Sequence, residues 1–368
     1  MLCILAFIIF LILFPILGFF PEYRRLFRRS WACVFKKVTL QPCDINLGEE
    51  LKNKLLGKLF FKYPKVAKFL DKTLAFWAIL FVIINIWSLW TVINSGLNLY
   101  VYDTCDPQTG ESCSLSGEAC GVASNSLTLG QAFNQGQLGQ WAVQPFTNLG
   151  KTINKIPDRI KNWRAEDYFG PSQTFYKPKD DSKPTALEII DPGCQYCRKL
   201  FRNIKESGFH HKYNLTYLVY PIPDNSNRGH DGYKFQASKQ IATYLEAMKQ
   251  IPLTTPTDKE TQSPADWQFL EIIFTKTSNG VPWQDKFNSV LGRNEIEPTI
   301  QKILKDMGYS DPEVQKIADL AKSEQVKEKL QIQRDIVENR VKTIRIPTIM
   351  FAGKRYDRVL DVDTLKKA

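Results

Sequence analysis

Asp191-Pro192-Gly193-Cys194-Gln195-Tyr196-Cys197 stands where an apolar strand pattern, Thr185 to Ile190, hands over to a helical one running from Cys194 to about Ser207. Two cysteines separated by two residues on the first turn of a helix can close a small disulfide. The unpaired N–H groups and the positive dipole end at that point stabilise a thiolate. A thiol with a pKa near 8.5 is only about 3% ionised at pH 7, whereas one lowered to about 6 is roughly 90% ionised. Cys194 is therefore the expected nucleophile and Cys197, one turn later, the expected resolving thiol. The alternatives are a static disulfide and half of a zinc site. Zinc lacks its fourth ligand: His210 has a finger-like spacing from Cys197, but His211 is adjacent to it and His230 lies nineteen residues beyond His211. No metal is expected.

Outward from the motif, the pattern continues as a strand at Leu215 to Tyr220 and helical stretches at Tyr233 to Met248 and Ala265 to Phe274. A further helix is expected from Asp311-Pro312-Glu313 toward Lys342, where a capping residue, a proline and an acid open the first turn. Two strands, Thr348 to Phe351 and Tyr356 to Leu360, are joined by a turn at Ala352-Gly353-Lys354-Arg355. Glu188 interrupts an apolar strand, and a carboxylate there is costly to bury without a partner or a task. The alternative is a half-exposed strand with Glu188 facing solvent.

The order strand, helix, strand, helices, hairpin, terminal helix is that of an α/β thioredoxin-like fold with a helical insertion. Cys194-Gln195-Tyr196-Cys197 after a strand, and Ile344-Arg345-Ile346-Pro347-Thr348 before the penultimate strand, look like the two signatures of thioredoxin-like proteins. The insertion, residues 224–344, is similar to the DsbA-like branch of thiol:disulfide oxidoreductases. The resemblance covers residues 168–368 and implies a cis bond before Pro347, with the Ile346 backbone beside the cysteine pair to receive an extended client. It also implies that Glu188 is the acid/base for Cys197. Gln195, Tyr196, Ile346 and Thr348 are the expected client-contacting positions. Gln195-Tyr196 departs from the Pro-His pair of strongly oxidising members, which leaves the redox direction open.

The remainder of the chain reads differently. Residues 1–20 are uncharged, and residues 74–93 contain Asn85, Ser88 and Thr91 as their only clearly polar members. Each run is about 30 Å long as a helix, the thickness of a hydrocarbon core, so two transmembrane helices are expected, the second reaching its outer interface by residue 101. Trp87, Trp90, Tyr100 and Tyr102 fit an interfacial aromatic belt. The loop at residues 21–73 carries 13 Lys and Arg against 5 acids, or +8 of the chain's +11. By the positive-inside rule this loop is cytoplasmic, and the N-terminus and everything after the second span are extracytoplasmic. The same placement explains the basic charge through topology and lipid headgroups rather than nucleic acid.

Residues 102–167, rich in Gly, Ser, Asn and Gln, read as a tether with a short surface helix near Ile153 to Trp163. The tether carries Cys105, Cys113 and Cys120, candidates for auxiliary disulfides. With Cys194 and Cys197 they make five outer cysteines, an odd number. One reading has the tether exchanging disulfides with Cys194. Cys33 and Cys43 fall in the cytoplasmic loop and read as ordinary thiols.

The expected function is a membrane-anchored, extracytoplasmic protein disulfide oxidoreductase, with no cofactor, acting on protein thiols and disulfides. It would depend on a separate membrane or extracytoplasmic redox partner. Two alternatives stand beside it: a non-catalytic thioredoxin-like subunit of a secretion or conjugation assembly, and a dedicated reductase for one client such as apocytochrome c. No Cys-x-x-Cys-His occurs in the chain.

Overall fold

The segment Thr185–Ile190 (β2) is apolar at four of its six positions, Thr185 and Glu188 being the exceptions, and all six residues are buried. Such a run suits a strand covered on both faces. The computed structural model describes residues 86–102, 119–121, 129–224, 231–251, 263–343 and 345–368. Beside β2 on one edge lies Asn214–Val219 (β3), parallel, in register from Thr185 opposite Asn214 to Ile190 opposite Val219. On its other edge lies Thr348–Phe351 (β7), antiparallel, with Ile189 opposite Thr348. Lys354–Tyr356 (β8) completes the order β3-β2-β7-β8. Parallel strands need a crossover, and Gln195–Ser207 (α4) supplies it.

Four short strands lie outside this sheet: Cys120–Gly121 (β1) pairs with Arg345–Ile346 (β6), and Thr277–Ser278 (β4) pairs with Val281–Pro282 (β5). Helices Leu129–Asn134 (α1), Leu138–Asn154 (α2) and Ile156–Ile160 (α3) precede β2. After α4, Phe209–Lys212 (α5) leads into β3. The insertion comprises Ser238–Met248 (α6), Ala265–Thr275 (α7), Trp283–Asp285 (α8), Arg293–Asp306 (α9), Asp311–Lys322 (α10) and Glu324–Asp335 (α11). Val362–Lys367 (α12) ends the chain. This mixed sheet with its helices fits the expected thioredoxin-like fold.

The core joins sheet and insertion through aromatic side chains. The Trp267 ring on α7 meets Tyr217 of β3 edge-on at 4.7 Å and Phe201 of α4 at 6.3 Å. Gly208, with φ +71°, turns the chain out of α4 in the left-handed conformation that favours glycine.

Several boundaries differ from the sequence expectation. Helix α6 begins at Ser238 rather than Tyr233, because Lys234 N–H donates to Ile222 O and Tyr233 pairs with Pro223. The helix expected from Asp311 to Lys342 breaks at Ser323, whose hydroxyl accepts the Val326 N–H and starts α11. The last strand is Lys354–Tyr356, directly after the left-handed pair Ala352 and Gly353, and not Tyr356 to Leu360. Asp357 is instead drawn inward by Arg355, Thr343 and Thr348. The single helix expected near Ile153 to Trp163 is two pieces, with Pro157 in the first turn of the second. Trp163 is buried, and its backbone N–H donates to Gly353 O at 2.9 Å.

By contact, the chain divides into Met1–Gly96 and Leu97–Ala368. In the first unit, the expected span at residues 1–20, the loop at 21–73 and residues 74–85 of the second span lie outside the described residues. Residues 86–102 are helical, with Ile86, Trp87, Leu89, Val92 and Ile93 exposed. No helix among the described residues is long and apolar enough to cross a membrane. Tyr102 does not belong to an exposed aromatic belt: it is buried, with the Lys155 ammonium 5.4 Å from its ring. Within the expected tether, residues 129–160 form α1 to α3, and Cys105, Cys113 and His230 lie outside the described residues.

Candidate active site

Cys194 occupies the position just before α4, with extended backbone, and Cys197 lies inside the first turn. The loop that presents them is built around Asp191. One carboxylate oxygen accepts the Gly193 N–H at 2.7 Å and the Ser238 hydroxyl; the other accepts the Ile222 N–H at 2.7 Å. Burial raises the pKa of Asp191 to about 6 against the lowering effect of these donors. Gly193 is required by space, since a Cβ there would lie 2.5 Å from both Phe235 Cβ and Ser238 Oγ.

The insertion fixes the other side of the loop. Gln284 Nε2 donates to Pro192 O at 2.7 Å and to Cys194 O at 3.1 Å, while Asn288 Nδ2 donates to Gly193 O at 2.8 Å. Arg198 is held by Asp285 at 3.0 Å. Gln284, Asn288 and Ser238 were not singled out from the sequence. They stand 41 or more positions beyond Cys197, and nothing in their local pattern signals the contact.

Cys197 is a free, buried thiol. Burial pushes its pKa well above the ordinary value; the Asp191 N–H, 3.4 Å from Sγ, acts in the opposite direction, and the nearby Asp191 and Glu188 carboxylates add to the rise. Glu188 does not face solvent: it is 1% exposed, and burial lifts its pKa from 4.5 to about 8. Among the described residues its Oε1 has no hydrogen-bond partner. A neutral carboxyl at pH 7 thus lies within electrostatic reach of a buried thiol.

The Ile346–Pro347 bond is cis, and the Ile346 carbonyl oxygen lies 3.7 Å from Cys194 Sγ. Gln195 is exposed and Tyr196 half-buried on the outer side of the motif. Thr348 is placed differently from a client-facing residue. It is fully buried, and its hydroxyl is shared among Arg345 O, Thr343 and Asp357 beneath the sheet. His210 packs edge-on against Tyr176 at 5.4 Å with its Nδ1 3.3 Å from Ile204 O, and burial lowers its pKa to about 4.

The disulfide differs from the simplest expectation. Cys194 is joined to Cys120, 74 residues earlier, and not to Cys197. Cys120 also sits opposite Ile346 in the β1–β6 pairing. The sequence indicated an odd outer cysteine and an exchange with the tether, but not which tether cysteine or where its strand would lie.

No family model matches the chain, and no curated protein does. Solved structures to which it is similar include the thiol-disulfide exchange protein alpha-DsbA2 from Wolbachia pipientis, at 14% identity, covering 53% of this chain and 84% of that one with a TM-score of 0.34. ScsC from Proteus mirabilis, in a transitional conformation, matches at 12% identity over 66% of this chain and 97% of that one, with a TM-score of 0.35. MdbA, a thiol-disulfide oxidoreductase from Corynebacterium diphtheriae, matches at 18% identity over 52% of this chain and 92% of that one, with a TM-score of 0.34.

Proposed function

We propose that the chain is a protein disulfide oxidoreductase working through Cys194 and Cys197. The observation that carries this reading is the convergence at one point of a helix-start cysteine, a free thiol one turn later, a buried carboxyl whose Oε1 has no partner among the described residues, and the Ile346 backbone before Pro347. A static disulfide would need neither the second thiol nor Glu188.

The exchange runs through a mixed disulfide on Cys194. In the oxidising direction, a client thiolate attacks Cys194 of a Cys194–Cys197 disulfide and Cys197 leaves as a thiolate, taking a proton from Glu188. A second client thiolate then attacks the client sulfur of the mixed disulfide, closing the client disulfide and releasing Cys194. The reducing direction reverses each step, with Cys197 losing its proton to the ionised form of Glu188 before attacking Cys194. Protein thiols and disulfides are the substrates, and a redox partner is needed to restore the starting pair.

Anchoring to a membrane with the site on its outer side belongs to the same proposal. It is supported by the two uncharged runs, by the +8 loop between them and by the apolar residues exposed over 86–93. Disulfide chemistry of this kind has its use outside the cytoplasm.

The full chain should reduce or oxidise a fluorogenic peptide disulfide, and Cys194→Ser should lose at least about a hundredfold in rate, as expected for removal of a nucleophile. In a Cys120→Ser chain, where Cys194 is not held by Cys120, a second change Cys197→Ser should accumulate client mixed disulfides. Full activity in the Cys194→Ser variant would refute the assignment.

A further inference from the structure

The segment Ala119-Cys120-Gly121, which contains β1, occupies two places that a client needs at once. Its sulfur is bonded to Cys194, and its backbone pairs antiparallel with β6, Cys120 opposite Ile346 and Gly121 opposite Arg345. Beneath it Cys194 is 0% exposed, and Cys120 itself only 6%. A nucleophile that must meet outside disulfides is thus sealed by a segment of its own chain, while the thiol able to release it, Cys197, remains free one turn away.

A structural staple between the region before α1 and the head could use any pair of neighbouring surface positions. This one takes the helix-start cysteine and the backbone edge beside Pro347 together, the arrangement expected of a captured peptide and not of a simple brace. Strand addition to an exposed edge supplies main-chain hydrogen bonds without regard to most side chains, so a short segment of small residues suffices.

We propose that Ala119–Gly121 is a built-in occupant of the client groove and that Cys120 is a third redox-active cysteine, holding the chain as an internal mixed disulfide that excludes clients until it opens. The proposal rests on the oxidoreductase reading above and adds its regulation.

Opening needs no outside oxidant or reductant. The Cys197 thiolate attacks Cys194 Sγ, the Cys194–Cys197 bond forms and the Cys120–Cys194 bond breaks. Cys120 leaves as a thiolate and takes up, in net, the proton that Cys197 gives up, so that Glu188 is neutral both before and after. One disulfide and one thiol are present before and after, so the chain is isomerised and not oxidised. The product is the Cys194–Cys197 disulfide with its groove vacant. Because Cys120 is tethered, its effective concentration at Cys194 is on the order of millimolar, well above that of a dilute client. The closed form therefore competes strongly with clients present at micromolar levels.

Non-reducing peptide mapping of the acid-quenched, alkylated full chain tests this, together with turnover of a fluorogenic peptide disulfide. The wild-type chain should yield a Cys120–Cys194 cross-link that becomes more abundant in Cys197→Ser. In Cys120→Ser, turnover should rise at least about tenfold. Mild reduction of the wild-type chain should make Cys120 and Cys194 alkylatable together without changing the fluorescence of the buried tryptophans.

Absence of the cross-link in both wild type and Cys197→Ser would overturn the proposal. Unchanged turnover in a folded Cys120→Ser chain would do so too, as would loss of the buried-tryptophan signal on mild reduction, the mark of a structural staple. If Cys194→Ser is inactive while Cys120→Ser merely matches wild type, the strap alone fails. If the Cys120→Ser/Cys194→Ser double variant stays active, the oxidoreductase reading fails with it.

Discussion

Replacing Glu188 with glutamine should change how stability depends on pH, and the size of the effect follows from the site. Glu188 lies in the middle of the central strand, fully enclosed, and burial raises its pKa from 4.5 to about 8. Because the folded pKa is the higher one, the folded chain keeps a proton that the unfolded chain releases. The stabilisation is complete below the unfolded pKa and is lost as the pH rises toward 8. Between about pH 5 and pH 7 the loss amounts to about 2.5 kcal/mol.

Glu188→Gln keeps the shape and cannot titrate. Cys197 and Asp191 titrate in both proteins, so their contributions largely cancel in the difference. Urea unfolding of the unit Leu97–Ala368, followed by tryptophan fluorescence at about pH 5, 6 and 7, should show the variant gaining on the wild type by about 2.5 kcal/mol across that range. Parallel stability curves would show that Glu188 is solvated or already paired, and would remove it as the proton carrier for Cys197. The variant should also slow the Cys197-dependent step of exchange while leaving attack at Cys194 by an outside thiolate nearly unchanged.

Gly193→Ala should destabilise by about 1–3 kcal/mol, since its Cβ would lie 2.5 Å from Phe235 Cβ and Ser238 Oγ; thermal unfolding measures it. Gln284→Leu strips the donor from Pro192 O and Cys194 O, and should cost about 1–3 kcal/mol in urea unfolding together with slower exchange. Asp191→Asn keeps one acceptor oxygen where two now serve three donors, so the loop should loosen, read as faster amide exchange at Gly193 and Ile222. His210, whose folded pKa is lowered to about 4, contributes stability that is lost as the pH falls from about 6.5 to 4. His210→Gln should accordingly shift the acid unfolding midpoint downward, and an unchanged midpoint would show that the ring is solvated.

The strand at Thr185–Ile190, the helix after Cys194, the parallel partner strand and the strand at Thr348–Phe351 were legible because each carries its own local signature. Period, apolar runs and turn residues act over a few positions. The cysteine pair, Pro347 and Glu188 could be found for the same reason, as chemically unusual residues within regular patterns. Boundaries were less legible where a tertiary partner competes with local preference. Ser323 could have continued a helix but caps the next one, and Asp357 could have extended a strand but turns in toward Arg355.

What the sequence determined by itself is the order of elements and the chemistry present: a helix-start CxxC, a carboxyl in an apolar strand, a proline before the penultimate strand and an odd cysteine upstream. Only the tertiary structure decided which atoms meet. It joined Cys194 to Cys120 across 74 residues, laid the Cys120 strand along Ile346, and brought Gln284 and Asn288 from the insertion to the carbonyls of the cysteine loop. The physical reason is that propensity and periodicity are encoded between near neighbours, whereas a disulfide, a strand pairing or a buried hydrogen bond depends on where distant segments come to rest. Their energies are gained only after loop closure has been met, and no pattern within either segment records the other's position.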